Sequence, residues 1–144
     1  MNTKNSFSQN GQINGKWFEC EFSISGTLPL DNCEMLDDDG FLVEENNLFH
    51  LKIIGSKELN CRSNRKGHCF KFSLREIKVK KSKIGKIESS FNNIKVKYMG
   101  CSQIYWIKQI NEKFWKIFPE KNKCYWTRDK NYYVRRWEGN LLLN

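Results

Sequence analysis

Apolar and polar residues alternate one by one over residues 17–24, where Phe18, Cys20, Phe22 and Ile24 interleave with Glu19, Glu21 and Ser23. A period of two predicts a strand with one buried and one wet face. Gly26 ends it. The run Asp37-Asp38-Asp39-Gly40 holds an Asp-Gly pair ahead of Phe41-Leu42-Val43, which predicts a hairpin turn. It does not read as a calcium loop, because the D-x-D-x-D-G spacing and the glutamate at the twelfth position are absent. Asn46-Asn47 turns into a strand over 48–54 that Gly55-Ser56 ends. A basic tip at 61–69 leads into Phe70-Lys71-Phe72-Ser73-Leu74. The apolar set then changes from even to odd positions (Ile77, Val79), and a bulge near Arg75-Glu76 accounts for the slip. Residues 80–86 read as a lysine-rich loop. Short strands follow at 87–91, 94–98, 104–110, 114–118, 124–128 and 132–137, separated by Asn, Pro and Asp turns.

Helix is disfavoured throughout. The chain has no alanine, is rich in β-branched and aromatic residues, and shows no long stretch of period 3.6. Turn signals recur every eight to twelve residues, roughly the spacing of an all-β sandwich or barrel. The expected architecture is all-β: an antiparallel up-and-down β-barrel of about 8–10 short strands, closed so that no sheet edge is exposed. Residues 1–14, polar and rich in Asn and Ser, are expected to form a flexible N-terminal tail, and residues 15–144 a single β-barrel domain.

Composition changes the picture in two ways. At 144 residues the chain fits one domain and leaves no room for separate cofactor and substrate domains. Its bias toward Lys (19), Asn (16) and Ile (12) is what an A+T-rich coding sequence produces, and part of the net charge of +9 follows from it. The distribution of charge does not. Residues 1–60 carry 4 basic and 10 acidic side chains, a net of −6, whereas residues 61–144 carry 21 basic and 6 acidic, a net of +15. A positive field of that kind attracts carboxylates or phosphates, so an acidic partner is expected. No apolar run reaches the roughly 18 residues of a membrane span. No apolar leader follows Met1, which predicts a cytoplasmic protein whose six cysteines are reduced and mostly buried.

Motifs for catalysis are absent. There is no G-x-S-x-G, P-loop or G-x-G-x-x-G, and the two histidines, His50 and His68, have no nucleophile at hydrogen-bonding spacing. Cys61, His68 and Cys69 lack zinc-knuckle spacing. No catalytic residue, metal or cofactor is therefore assigned, and the chain leans away from an enzyme.

The C-terminal meander carries the sharper readings. If Arg128 pairs with Tyr132 across a tight loop and Phe118 with Cys124, alternation sorts the side chains onto two faces. One holds Trp115, Ile117, Tyr125, Thr127, Tyr133, Arg135 and Trp137. If that face lines a barrel, Arg135 is a cation in an apolar setting and needs an acceptor: an internal glutamate, a backbone carbonyl or a ligand carboxylate. The other holds Phe114, Lys116, Phe118, Cys124, Trp126, Arg128, Tyr132, Val134 and Arg136. Exposed, Phe114, Phe118, Trp126 and Tyr132 interleaved with Lys116, Arg128 and Arg136 would form a stacking platform for single-stranded nucleic acid.

Gly15-Lys16-Trp17 resembles the G-x-W signature that opens the first strand of calycins, the lipocalin and fatty-acid-binding-protein barrels. Arg135-Arg136-Trp137-Glu138 resembles the terminal R-x-aromatic of the fatty-acid-binding group. The resemblance implies that Arg135 and Trp137 contact a ligand carboxylate inside the barrel and that Trp17 closes its bottom. The S-type bilin lyases share this barrel and also open with G-x-W. The leading expectation is a small intracellular protein that holds an acidic hydrophobic ligand, lipid or tetrapyrrole-like, with Arg135, Trp137, Tyr133, Tyr125 and Trp17 as ligand-binding residues. The alternatives are the single-stranded nucleic-acid-binding domain and a bilin lyase-like chromophore carrier or adaptor that docks on an acidic partner protein.

Overall fold

The computed structural model describes residues 13–21, 33–58, 61–62, 70–90, 92–121, 124–127 and 130–143. Expectations for residues 1–12, for Phe22 and Ile24, and for the 63–69 tip lie outside the described residues. The described chain forms ten strands: β1 Gly15–Cys20, β2 Leu36–Glu44, β3 Asn47–Ser56, β4 Cys61–Arg62, β5 Glu76–Ser89, β6 Asn93–Tyr98, β7 Cys101–Gln109, β8 Trp115–Pro119, β9 Tyr132–Trp137 and β10 Asn140–Leu143. They form one sheet in the order β10-β5-β6-β7-β8-β9-β1-β2-β3-β4, and β3 also pairs with β5, so the sheet closes on itself as a ring. Every pairing is antiparallel except that of β10 with the start of β5. Among the described residues no helix is long and apolar enough to cross a membrane.

Several local expectations change. Asp39-Gly40 is not a turn but lies inside β2, and the reversal falls at Glu45 and Asn46, both at positive φ (50° and 69°). Such a pair matches the right-handed twist of the flanking strands. Glycine is required at 40 for another reason: a Cβ there would overlap the Phe18 ring and the Trp17 carbonyl. The lysine-rich stretch at 80–86 is not a loop but the middle of the 14-residue β5, hydrogen-bonded to β3 from Asn47↔Lys86 to Gly55↔Lys78. The bulge sits at Ile84, where the register slips between Leu48 and Phe49, and not at Arg75-Glu76. Phe70, Phe72 and Leu74 are buried but belong to no strand, apart from one bridge between Met35 and Lys71. Residues 124–127 form no strand either, and β8 pairs directly with β9.

Two apolar cores result. Trp17, Val43, Leu48, Ile87, Ile94, Val96, Tyr105, Ile107, Ile117 and Val134 come from every strand around the ring and pack into one cluster, which is therefore its interior. Ile13 joins it by closing one end, its carbonyl accepting the Trp17 indole N–H at 3.0 Å, so the packed chain begins before residue 15. The opposite faces of β1, β2, β3, β5 and β9 build the second core. Phe18, Leu36, Leu51, Ile53, Ile77 and Val79 are fully buried there under the segment carrying Phe70, Phe72 and Leu74. The neighbours Trp17 and Phe18 thus point to opposite cores, as alternation requires. Trp137 anchors the outer core. Its indole donates to the Leu74 carbonyl at 2.9 Å, and its ring meets Phe18 edge-on at 5.9 Å. Gly139 is needed beside it, since a Cβ would overlap the Trp137 ring.

Four cysteines are paired, Cys20 with Cys33 and Cys101 with Cys124, and none of the described cysteines is a free thiol. This corrects the expectation of reduced thiols, because the ring brings residues 13 and 23 positions apart to Cα separations of 5.1 and 5.9 Å, well inside disulfide range. Closing a loop of this size stabilises by about 3 kcal/mol, so the double variant Cys101→Ser/Cys124→Ser should lower unfolding free energy by about that much, measured in urea under oxidising conditions. Gly40→Ala, which forces a methyl into the Phe18 ring, should destabilise by about 1–3 kcal/mol with the urea slope unchanged.

Candidate functional site

The ring interior is filled at one end and open at the other. Around Ile13, Trp17, Ile107, Trp115 and Val134 the remaining void is only about 10 Å³. Toward the other end a cavity of about 370 Å³ remains. Its walls are the aliphatic side chains of Leu48, Ile84, Ile94, Val96 and Ile117 and the rings of Phe41, Tyr105, Trp126 and Tyr132. Ile84 reaches it because the bulge in β5 adds one residue there. Among the described residues its carboxylates and imidazole come from Glu19, Asp39 and His50, on β1, β2 and β3.

The acidic rim has a backbone cause. Phe18 pairs with Gly40, but Cys20 pairs with Leu36, so Glu19 alone faces the three residues Asp37, Asp38 and Asp39. A bulge of this kind re-aims side chains and commonly lies beside a functional site. Asp39 Oδ1 is 3.1 Å from His50 Nε2 and 3.7 Å from Lys52 Nζ. Asp38, only 4% exposed at its side chain, pairs with Lys52 at 3.1 Å. Asp37 Oδ1 accepts the Asp38 amide at 2.7 Å. Burial pushes the Asp37 carboxyl up to about 7, aided by its hydrogen bond with the Asp38 carboxyl and the negative charges of Glu19 and Asp38. Burial by itself would lower Lys52, but Asp38, Asp39 and Asp37 together hold it above its ordinary value, so it stays an ammonium. The three aspartates place carboxylate oxygens within 4.8 Å of one another, the kind of hard donor set that oxygen-seeking cations use. Lys52 already occupies its edge.

The expected ligand-binding residues are not brought together. Arg135 lies on the outer side of the ring, where its guanidinium donates to the Cys33 carbonyl at 2.8 Å, sits 3.5 Å from Glu34 and covers the Phe72 ring. Trp137 and Tyr133 belong to the outer core with it. Tyr125 is 80% exposed. Of these residues Trp17 alone faces the interior, at its filled end, stacked on Phe41 and with the Arg136 guanidinium 4.4 Å from its ring centroid.

The nucleic-acid set divides in the same way. Phe114 is in the outer core and Lys116 lies over the rings of Phe118 and Tyr133. Trp126 and Tyr132 line the cavity. Arg136 donates to the Asn14 carbonyl, and Arg128 lies outside the described residues. The reason is register. The expected faces assumed a strand at 124–128 between β8 and β9, whereas Ile117 pairs directly with Tyr132 and Trp115 with Val134. That turns Tyr132 and Val134 inward and Tyr133, Arg135 and Trp137 outward.

Sequence reasoning missed Glu19, Asp39 and His50. Glu19 shares the parity of Trp17, and that was the one available signal. It was overridden by reading the strand as having a single buried face. Comparison of the chain with protein-family models, curated proteins and solved structures finds no match.

Asp37 yields a prediction about pH. Its folded value of about 7 lies above the ordinary 3.8, so the folded state binds a proton that the unfolded chain does not hold between these values. Stability should therefore fall as pH rises from about 4 to about 7 on account of this group. Asp37→Asn should remove that component, leaving stability near pH 4 unchanged and raising it near pH 8. Urea titrations of both proteins across this range measure it.

Proposed function

We propose that the protein is a small-molecule binding protein that holds a largely apolar ligand inside its ring. This is the class of function that the calycin resemblance implies. The observation that carries the reading is the contrast between the two ends of one interior: about 10 Å³ of void at the filled end against about 370 Å³ at the other. Protein interiors are normally packed to crystal density, so a space of this size, apolar with a few convergent polar groups, suits a ligand. Polar recognition in this reading falls to Glu19, Asp39 and His50 rather than to Arg135, whose guanidinium is engaged on the outer side. The two disulfides favour an oxidising compartment over the cytoplasm as the place where the protein works.

A neutral apolar fluorophore, N-phenyl-1-naphthylamine, should bind saturably at one site per chain and quench tryptophan emission through Trp126. Val96→Phe, which extends a ring into the space, should weaken that binding by about tenfold while preserving the folded spectrum. Non-saturable binding, or an affinity indifferent to Val96→Phe, would refute the reading.

A further inference from the structure

The geometry points to an organic cation as the ligand: an amine or quaternary ammonium on an apolar body, its charged nitrogen seated between the acidic rim and the aromatic rings of the cavity. This rests on the reading of the cavity as a ligand site and adds the chemical class.

Three features on separate strands agree on the sign. First, the charged lining of the cavity consists of Glu19 and Asp39, with His50 against Asp39; neither lysine nor arginine lines it among the described residues. The chain carries 25 lysines and arginines against 16 acids, so an acidic lining is contrary to its composition. Second, Asp37 and Asp38 stand directly behind Glu19 and Asp39 in the bulge of β2, so four carboxylates meet at one rim beside Lys52 and His50. Burial is the main cause of the raised value of Asp37, and the negative charges of Glu19 and Asp38 add to it. Third, the wall beside the rim is aromatic: Phe41, Tyr105, Trp126 and Tyr132 all line the cavity. A ring face attracts a cation within about 6 Å of its centroid and repels an anion. Carboxylates for the charge and rings for the apolar flanks are the combination that recognises an ammonium. A ligand carboxylate would meet repulsion from both. The buried indole N–H of Trp126 makes no hydrogen bond among the described residues, so it is also available to a ligand oxygen near the charged nitrogen.

Three probes that share one apolar body separate the possibilities: 1-naphthylmethylammonium, 1-naphthalenemethanol and 1-naphthylacetate, titrated calorimetrically at pH 8. The ammonium should bind about tenfold more tightly than the alcohol and the carboxylate most weakly, with only the ammonium losing affinity as salt is raised. Asp39→Asn should remove most of the ammonium's advantage over the alcohol. If the alcohol equals the ammonium, or the carboxylate binds best, the cation assignment is overturned while the cavity stands as a site. If none of the three binds saturably, the cavity reading falls and this one with it. The comparison of the three probes on the unaltered protein decides the matter even if Asp39→Asn does not fold.

Discussion

The pairing of β3 with β5 is the constraint on which the rest of the molecule depends. It joins the penultimate strands of an otherwise open sheet and leaves an enclosed space between the strands. β5 is long because it serves three neighbours: β3 along one edge, and β10 and then β6 along the other. Within the ring no strand has a free edge to recruit another chain, and among the described strands only the short β4 and β10, outside it, are paired on one side alone. It also sorts side chains strictly, because every strand must send alternate residues to an interior of fixed size. The irregularity at Ile84 is how β5 fits this requirement: the extra residue resets the phase, so that Ile84 faces the cavity and Ile87 the interior core.

Closure also explains why both faces of β1 are buried. Trp17 and Glu19 serve the interior, while Phe18 and Cys20 serve a second core that covers the outside of β1, β2, β3, β5 and β9. That outer layer is held by contacts between distant segments: Trp137 to the Leu74 carbonyl, Arg135 to the Cys33 carbonyl, and the Cys20–Cys33 disulfide. A guanidinium there is tolerable because the Cys33 carbonyl, Glu34 and the Phe72 ring replace its water. The same contacts explain why Arg135 has no role at the cavity.

The opposed charges of the two halves of the chain meet across the ring. Glu34 pairs with Lys113 and Arg135, Glu44 with Lys81 and Glu58 with Arg75, each joining an acid of the first sixty residues to a base of the remainder. Exposed pairs of this kind stabilise little one by one. Their distribution ties the acidic first part of the chain to the basic remainder. Glu19 and Asp37–Asp39 are gathered at one rim by the irregular pairing of β1 with β2.

The predominance of strand and the strand over Tyr132–Trp137 could be read from alternation and turn residues, because these are local properties. The sheet's closure was an expectation from composition and spacing that the ring now bears out in its coarse form. The identity of the inward faces could not be read. It depends on whether a strand intervenes between β8 and β9, and the described residues 124–127 form none while β8 pairs directly with β9. One strand more or fewer inverts which neighbours share a side, so Arg135 and Trp137 exchanged places with Tyr132 and Val134. The disulfides and the acidic rim were hidden for the same reason: each unites residues that only long-range pairing brings within reach, and side-chain alternation records which positions agree with one another but not which way they face.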